Sequence, residues 1–233
     1  MSNLKITNGA TANSQMTITA DYLDLRATAG GIAPVVNVNV TINSGTAGAN
    51  GLDAGTVAAS KWYYLYVINN GTTTTGLMSL SATAPTLPSG YTLFKRVGAI
   101  LTDTTIHFLR IIQLGRQARY QVTPSTNTAA YPEITLGSTG GMAAIATIAF
   151  APTTAAQIYY AGGTVGQLAV DNDVMIAPNN NFGGYGSGTN PVPLLSGDVA
   201  GSCYGGLVPE SANVYIQMDT NSYTVCCGWE DNF

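Results

Sequence analysis

Nearly every apolar stretch of this chain is short, β-branched or aromatic, and closed on both sides by Gly, Asn, Pro or Thr. Such punctuation suits strands and interrupts the longer runs that helical periodicity needs. The clearest case is Val36, Val38, Val40 and Ile42 interleaved with Asn37, Asn39 and Thr41, which predicts a strand with one core face and one solvent face. Met16, Ile18, Ala20 and Tyr22 alternate in the same way until the phase flips at Leu23 and Leu25, where a β-bulge is expected. Residues 62–68 are continuously apolar, predicting a strand covered on both faces and ended by a turn at Asn69, Asn70 and Gly71. Residues 91–102 and 106–114 flank the polar break Asp103, Thr104 and Thr105 and are expected to pair as a hairpin. Ile106, Phe108, Ile112 and Leu114 would then share one face.

Beyond residue 120 the strands resume with smaller side chains. Residues 142–150 are rich in Ala, and flanking Gly with Ile and Thr favours strand over helix there. Two proline turns, at Pro152 and Pro209, each launch an apolar strand, as in an antiparallel sandwich. Residues 121–132 are small, polar and Pro-bearing, and mark a candidate boundary. The expected architecture is all-β, an antiparallel β-sandwich or jelly-roll-like fold in two units, residues 1–120 and 121–233. With 233 residues, no covalent staple is needed for the core.

Only 9% of the residues are charged, against about a quarter in an average soluble domain. Low charge points either to a membrane or to surface covered by other subunits. No apolar run approaches the ~20 residues of a spanning helix, so membrane insertion is not expected. The first residues have no basic and apolar signal-peptide pattern, so synthesis in a cytoplasm is expected, with Cys203, Cys226 and Cys227 as thiols. All eight Lys and Arg lie at or before Arg119 and eight of the twelve acids lie after it, giving +4 for residues 1–119 and −8 for the rest. An anionic second half argues against nucleic acid as its ligand.

Catalytic equipment is sparse. A nucleophilic triad would have to use His107, the one histidine, which reads better as a structural residue. Asp171, Asn172 and Asp173 could offer oxygens to a metal, but nothing completes a site, and Cys226-Cys227 lacks zinc spacing. Glu133, Glu210 and Glu230 are the only glutamates, and no spacing pairs two of them for glycoside hydrolysis. Lys95, Arg96, Arg110, Arg116 and Arg119 could meet an anion, although pairing with acids explains Arg116 and Arg119 equally well. Neutral ligands are better provided for: thirteen tyrosines and many asparagines suit saccharides, where rings stack on C–H groups and amides meet hydroxyls. The Gly- and Asn-rich residues 178–193 form the longest expected loop, and Asn181, Phe182 and Tyr185 are its candidate ligand-binding residues.

Several segments resemble proteins encoded among the tail and virion genes of bacteriophages and prophages. They are N-G-L-D-A-G from Asn50, A-A-S-K-W-Y-Y-L-Y-V-I from Ala58, L-P-S-G-Y-T from Leu87, R-V-G-A-I-L-T-D from Arg96 and a closing G-W-E-D-N from Gly228. The likeness covers residues 1–120 well and most of the second half poorly. It implies a virion protein, a homotrimer by analogy with fibres and spikes, with an attachment half followed by an outward-facing half. No active-site motif comes with it. The expectation is a tail fibre or receptor-binding component that is not an enzyme, uses no cofactor or metal, and meets other virion proteins and a host surface glycan. A capsid decoration, cement or head-fibre protein is one alternative, and a polysaccharide depolymerase another.

Overall fold

The computed structural model describes residues 1–122, 131–136, 138–164, 174–183, 195–197, 203–219 and 222–233. The fold is all-β and rich in antiparallel pairs, with no α-helix among the described residues. Contacts divide the chain into two compact units, Met1–Thr123 with Phe233, and Pro124–Asn232.

The first unit contains β1 (Lys5–Asn8), β2 (Gln15–Ala27), β3 (Ile32–Asn43), β4 (Gly51–Leu52), β5 (Trp62–Asn69), β6 (Thr74–Ser79), β7 (Leu93–Leu101), β8 (Ile111–Leu114) and β9 (Gln117–Tyr120). They hydrogen-bond in the order β9-β8-β1-β2-β7-β5-β6-β4, with β3 also on β2. The long β2 turns the corner, bonding β1 along its first half and β7 at its end. The chain thereby folds into two facing layers. A Cβ on Gly98 of β7 would lie 2.9 Å from Ile6 Cδ1 and 2.5 Å from Gln113 Oε1, and one on Gly76 of β6 would overlap Ile42 of β3. Glycine at these two positions lets the layers approach, as a sandwich requires. β5 lies wholly in the interior, every residue from Trp62 to Asn69 being buried, which matches its unbroken apolar sequence.

Two sequence expectations are corrected in this unit. No bulge lies between β2 and β3: the register is constant from Gln15↔Asn43 to Arg26↔Ile32, and neither strand gains a residue. The hydrogen-bond phase nevertheless changes, since Ser44 N–H bonds Ser14 at one end and Ala27 N–H bonds Gly31 at the other, pairs of opposite parity. Both strands flip together where Asp21 faces Asn37. Asn37 takes the left-handed conformation, φ 51°, and Asp21 N–H turns away to the Ser2 carbonyl at 3.1 Å. Val38, Val40 and Ile42 therefore stay in the core, while Val36 is exposed.

The second correction concerns residues 102–110, which make only a single bridge, Thr102↔Phe108, instead of a hairpin strand. Phe108 N–H is drawn to the Asn13 carbonyl at 2.8 Å and Ile111 N–H to Asn8 Oδ1 at 2.9 Å, so the chain crosses to the other layer. There β8 pairs with β1 and β9. The expected shared face is lost: Phe108 and Ile111 are buried, whereas Ile106 and Leu114 are exposed.

The second unit has one sheet of β15 (Cys203–Leu207), β12 (Ala155–Thr164) and β17 (Ser222–Asp231), with β10 (Glu133–Leu136) on β17. A second sheet is ordered β11 (Ala143–Ala146), β16 (Asn213–Met218), β13 (Val174–Ala177), β14 (Leu195–Gly197). The sheets pack face to face: a Cβ on Gly162 of β12 would come within 3.2 Å of Val174 Cγ1 on β13, and Thr224 Oγ1 on β17 lies 2.8 Å from Met218 Sδ on β16. The two proline turns launch β12 and β16, one strand in each sheet. The Ala-rich segment is strand only through Ala146 and continues as a 3₁₀ turn, Thr147–Ala149. Tyr160 faces Cys226 but Tyr159 faces Gly228, so Cys227 is an extra residue bulged from β17. Cys226 and Cys227 are both buried thiols.

Candidate functional site

The resembling segments from Asn50 to Asp103 fold into fixed parts of the first unit, whereas residues 228–232 lie in the second. In Asn50–Gly51–Leu52, Asn50 is left-handed and its N–H and Oδ1 bond Gly76 on β6 at 2.7 and 3.1 Å. A Cβ on Gly51 would overlap the Thr46 carbonyl, so only glycine fits. Asp53 N–H bonds the Met78 carbonyl, and Asp53 Oδ2 accepts from Thr86 N–H at 2.9 Å. The turn before Trp62 is clamped by the buried Thr102, whose Oγ1 donates to the Ala58 carbonyl at 2.7 Å and accepts from Lys61 N–H at 3.0 Å. In Pro88–Ser89–Gly90–Tyr91, Tyr91 N–H closes a turn on the Pro88 carbonyl and Gly90 has φ 85°. These residues hold the frame together.

The one histidine lies in the 103–107 turn. Asp103 Oδ1 accepts from Thr105 N–H, Thr105 Oγ1–H and His107 N–H at 2.7, 2.8 and 2.8 Å. Desolvation pushes the Asp103 carboxyl up, but the bonds from His107 and Thr105 outweigh it and hold the group below its usual range. His107 Nδ1 lies 3.1 Å from Thr105 Oγ1 and 3.8 Å from Asp103 Oδ2, with the ring half exposed. Because the Thr105 hydroxyl already donates to Asp103, the network assigns the proton to Nδ1. The arrangement shapes a turn whose tip, Ile106, is left-handed at φ 70°. Of the basic candidates, Arg96 stacks over the Tyr64 ring at 5.6 Å, a cation–π contact within the sandwich.

The second unit gathers polar side chains at one end of its four-stranded sheet. There β13 ends, β16 begins and β11 runs into its 3₁₀ turn, as the pairs Ala177↔Tyr215 and Ala146↔Asn213 require. Thr147 N–H and Oγ1 both bond the Ala212 carbonyl, at 2.9 and 3.1 Å, tying the loops together. Asn179 Nδ2 donates to Glu210 Oε2 at 2.6 Å, and Asn179 Oδ1 accepts from Asn181 N–H at 2.9 Å. Pro178 and Gly183 are buried, Phe182 is half-buried, and Asn181 and Glu210 are exposed. Ile148 and Val208, on the neighbouring loops, are exposed as well.

Two of the three sequence candidates, Asn181 and Phe182, thus belong to one hydrogen-bonded loop end. Tyr185 lies outside the described residues, as do Asp171, Asn172 and Asp173. Sequence reasoning missed the link between Asn179 and Glu210, because a contact across 31 residues follows from β13 and β16 being neighbours. The signal available was the Pro-Glu-Ser turn, which fixes Glu210 at the start of a strand. Chemically the cluster offers a carboxylate with one amide partner, a second exposed amide and a partly open ring. Among the described residues no group of three or more His, Cys, Asp or Glu is placed to hold a metal ion.

Fold and loop cluster together define an all-β protein of two β-units, with a rigidly stapled first unit and a polar loop end on the second. No protein-family model, curated protein or solved structure matches the chain.

Proposed function

We propose that this protein is a structural component of a bacteriophage particle, of the tail-fibre or receptor-binding type, which acts by repeated weak contacts and not by catalysis. The observation that carries the reading is where its virion-like segments fall. Each from Asn50 to Asp103 is a turn, clamp or close-packed strand of the first unit, as expected of a shared attachment frame. The Asn179, Asn181, Phe182 and Glu210 loop end then serves as the outward surface. Single contacts there are weak, and repetition on a trimer and again around the particle raises the effective affinity. The partners proposed are other virion proteins, further copies of the chain and a neutral glycan of the host surface.

Immunogold labelling of purified particles with antibody against the chain tests the reading. Gold at the tail tip is expected; gold over the shell would move the protein to the capsid-decoration class, and unlabelled particles would refute a virion role. Adsorption of particles carrying Asn179→Ala with Glu210→Gln tests the loop end. A loss of host adsorption with intact particle assembly is expected.

A further inference from the structure

Ile32 and Val36 are the two most exposed large apolar side chains among the described residues, at 74% and 65%. Both lie on β3 with the exposed Pro34 between them. The register pairs Ile32 with Arg26, Pro34 with Asp24 and Val36 with Tyr22, so these six side chains share the outer face, while Leu23, Val35, Leu25 and Ala33 share the inner one. β3 carries no charged residue, and β2 is its one strand partner among the described residues. An apolar row therefore runs beside a row holding one anion and one cation two residues apart. Asp24 accepts from the Tyr22 hydroxyl and lies 3.8 Å from the Met1 amino group, while the Arg26 guanidinium sits 5.9 Å from the Phe94 ring centroid.

We propose that this face is a self-association surface, covered by the same face of a second copy of the chain about a two-fold axis. The charge pattern is what selects a second copy. An axis crossing the strands between the Asp24–Pro34 and Arg26–Ile32 pairs sets Arg26 of each chain against Asp24 of the other. The same operation lays Ile32 of each chain on Pro34 of its partner, which is the self-complementarity of an isologous contact. Val36, about 10 Å from that axis along the strand, reaches over the partner's 28–31 turn. Gly30 and Gly31 leave that turn without side-chain bulk.

Stacking by face, and not strand addition, follows from Pro34. In this half of β3 the Ala27–Gly31 bond puts the odd-numbered residues in hydrogen bonds with β2. Pro34 thus has its nitrogen toward the open edge, where it denies a donor to an added strand. A two-fold contact differs from any three-fold one, so the inference stands apart from the virion reading, and in a trimer it would join chains of two trimers.

Sedimentation velocity on the full chain across a dilution series tests it. The wild type is expected to contain pairs of chains. Asp24→Arg and Arg26→Asp each place like charges in both contacts, so each alone is expected at half the wild-type mass. Mixed one to one they are expected to recover paired mass, because one chain then supplies two cations and the other two anions. Recovery requires both variants to be folded. Val36→Lys and Ile32→Lys, at exposed positions that cost the fold little, are each expected to halve the mass as well. A wild type that stays monomeric, variants that leave the mass unchanged, or single variants that fail to recover on mixing would each overturn the proposal. A wild-type trimer insensitive to all four would overturn this contact while leaving the virion reading in place.

Discussion

Tyr160 lies on β12 with 1% of its surface exposed, and its hydroxyl is buried without a hydrogen-bond partner among the described residues. Its ring is well used, packing edge-on against Phe150 at 6.2 Å and 70°. Tyr160→Phe keeps that ring and removes only the hydroxyl. A buried hydroxyl without a partner costs roughly 1–3 kcal/mol of desolvation in proteins. Removing it is expected to stabilise the second unit by about 1 kcal/mol, or roughly 4 °C in a unit of this size.

The same burial makes the gain depend on pH. Desolvation, with a smaller contribution from Cys226 beside it, pushes the ionisation of Tyr160 far above the ordinary tyrosine value. The folded chain keeps this proton through the pH range in which the unfolded chain loses it. The unfolded state then binds fewer protons, so stability is intact below pH ~10 and falls by about 1.4 kcal/mol per unit above it. Tyr160→Phe removes that slope. Its advantage should rise from about 1 kcal/mol at neutral pH to roughly 2.5 kcal/mol one pH unit above the unfolded value. Urea unfolding followed by circular dichroism at pH 7 to 11 measures both. A variant less stable than the wild type at neutral pH, or an alkaline slope unchanged by the substitution, would refute the reasoning.

Tyr66 is the contrasting case: its hydroxyl donates to the Ser81 carbonyl at 2.8 Å, so Tyr66→Phe should cost the first unit about 1 kcal/mol in the same unfolding assay. Gly51→Ala forces a methyl group into the Thr46 carbonyl and should destabilise by about 3 kcal/mol, seen as a lower melting temperature by calorimetry. Asp103→Asn should flatten the acid dependence of stability, because the Asp103 carboxylate, held below its usual range, contributes above the ordinary carboxylate pKa and loses its contribution as pH falls through the lowered value. The group is near the surface, so the effect at neutral pH should stay under about 1 kcal/mol, measured by unfolding at pH 2 to 7. Asn37→Gly should be tolerated within about 0.5 kcal/mol while Asn37→Val loses roughly 1–3 kcal/mol, because a β-branched residue resists the left-handed conformation at φ 51°.

Local chemistry was legible in the sequence wherever one strand or one turn decided the outcome. The unbroken apolar run of β5 and the turn after Asn69 follow from the residues of that segment alone. Long-range partners were not legible. Residues 106–114 alternate well enough for a hairpin, yet Asn8 and Asn13, about a hundred residues earlier, accept from Ile111 and Phe108 and carry the chain to the other layer. The loop end around Asn181 shows the same division. The Asn run announces a polar loop, but its carboxylate, Glu210, arrives from a turn that only sheet order makes adjacent.

The flip at Asp21 and Asn37 links the core of the first unit to its outer surface. A strand with continuous alternation would bury Val36 with Val38, Val40 and Ile42. One left-handed residue instead leaves Val38 at 4% exposure and Val36 at 65%. The neighbouring strand flips in register, which puts Leu23 and Leu25 inside and aligns Tyr22, Asp24 and Arg26 outside. The isolated unit gains nothing from exporting Val36, since an exposed valine forgoes most of the 1.5–3 kcal/mol, roughly, that burial would supply. The loss is recovered if another surface covers the row, and β3 carries no charge to keep such a surface away. The distortion that most disturbs the sequence pattern is therefore the one that builds the apolar row, and the proposed self-association would give that row its physical reason.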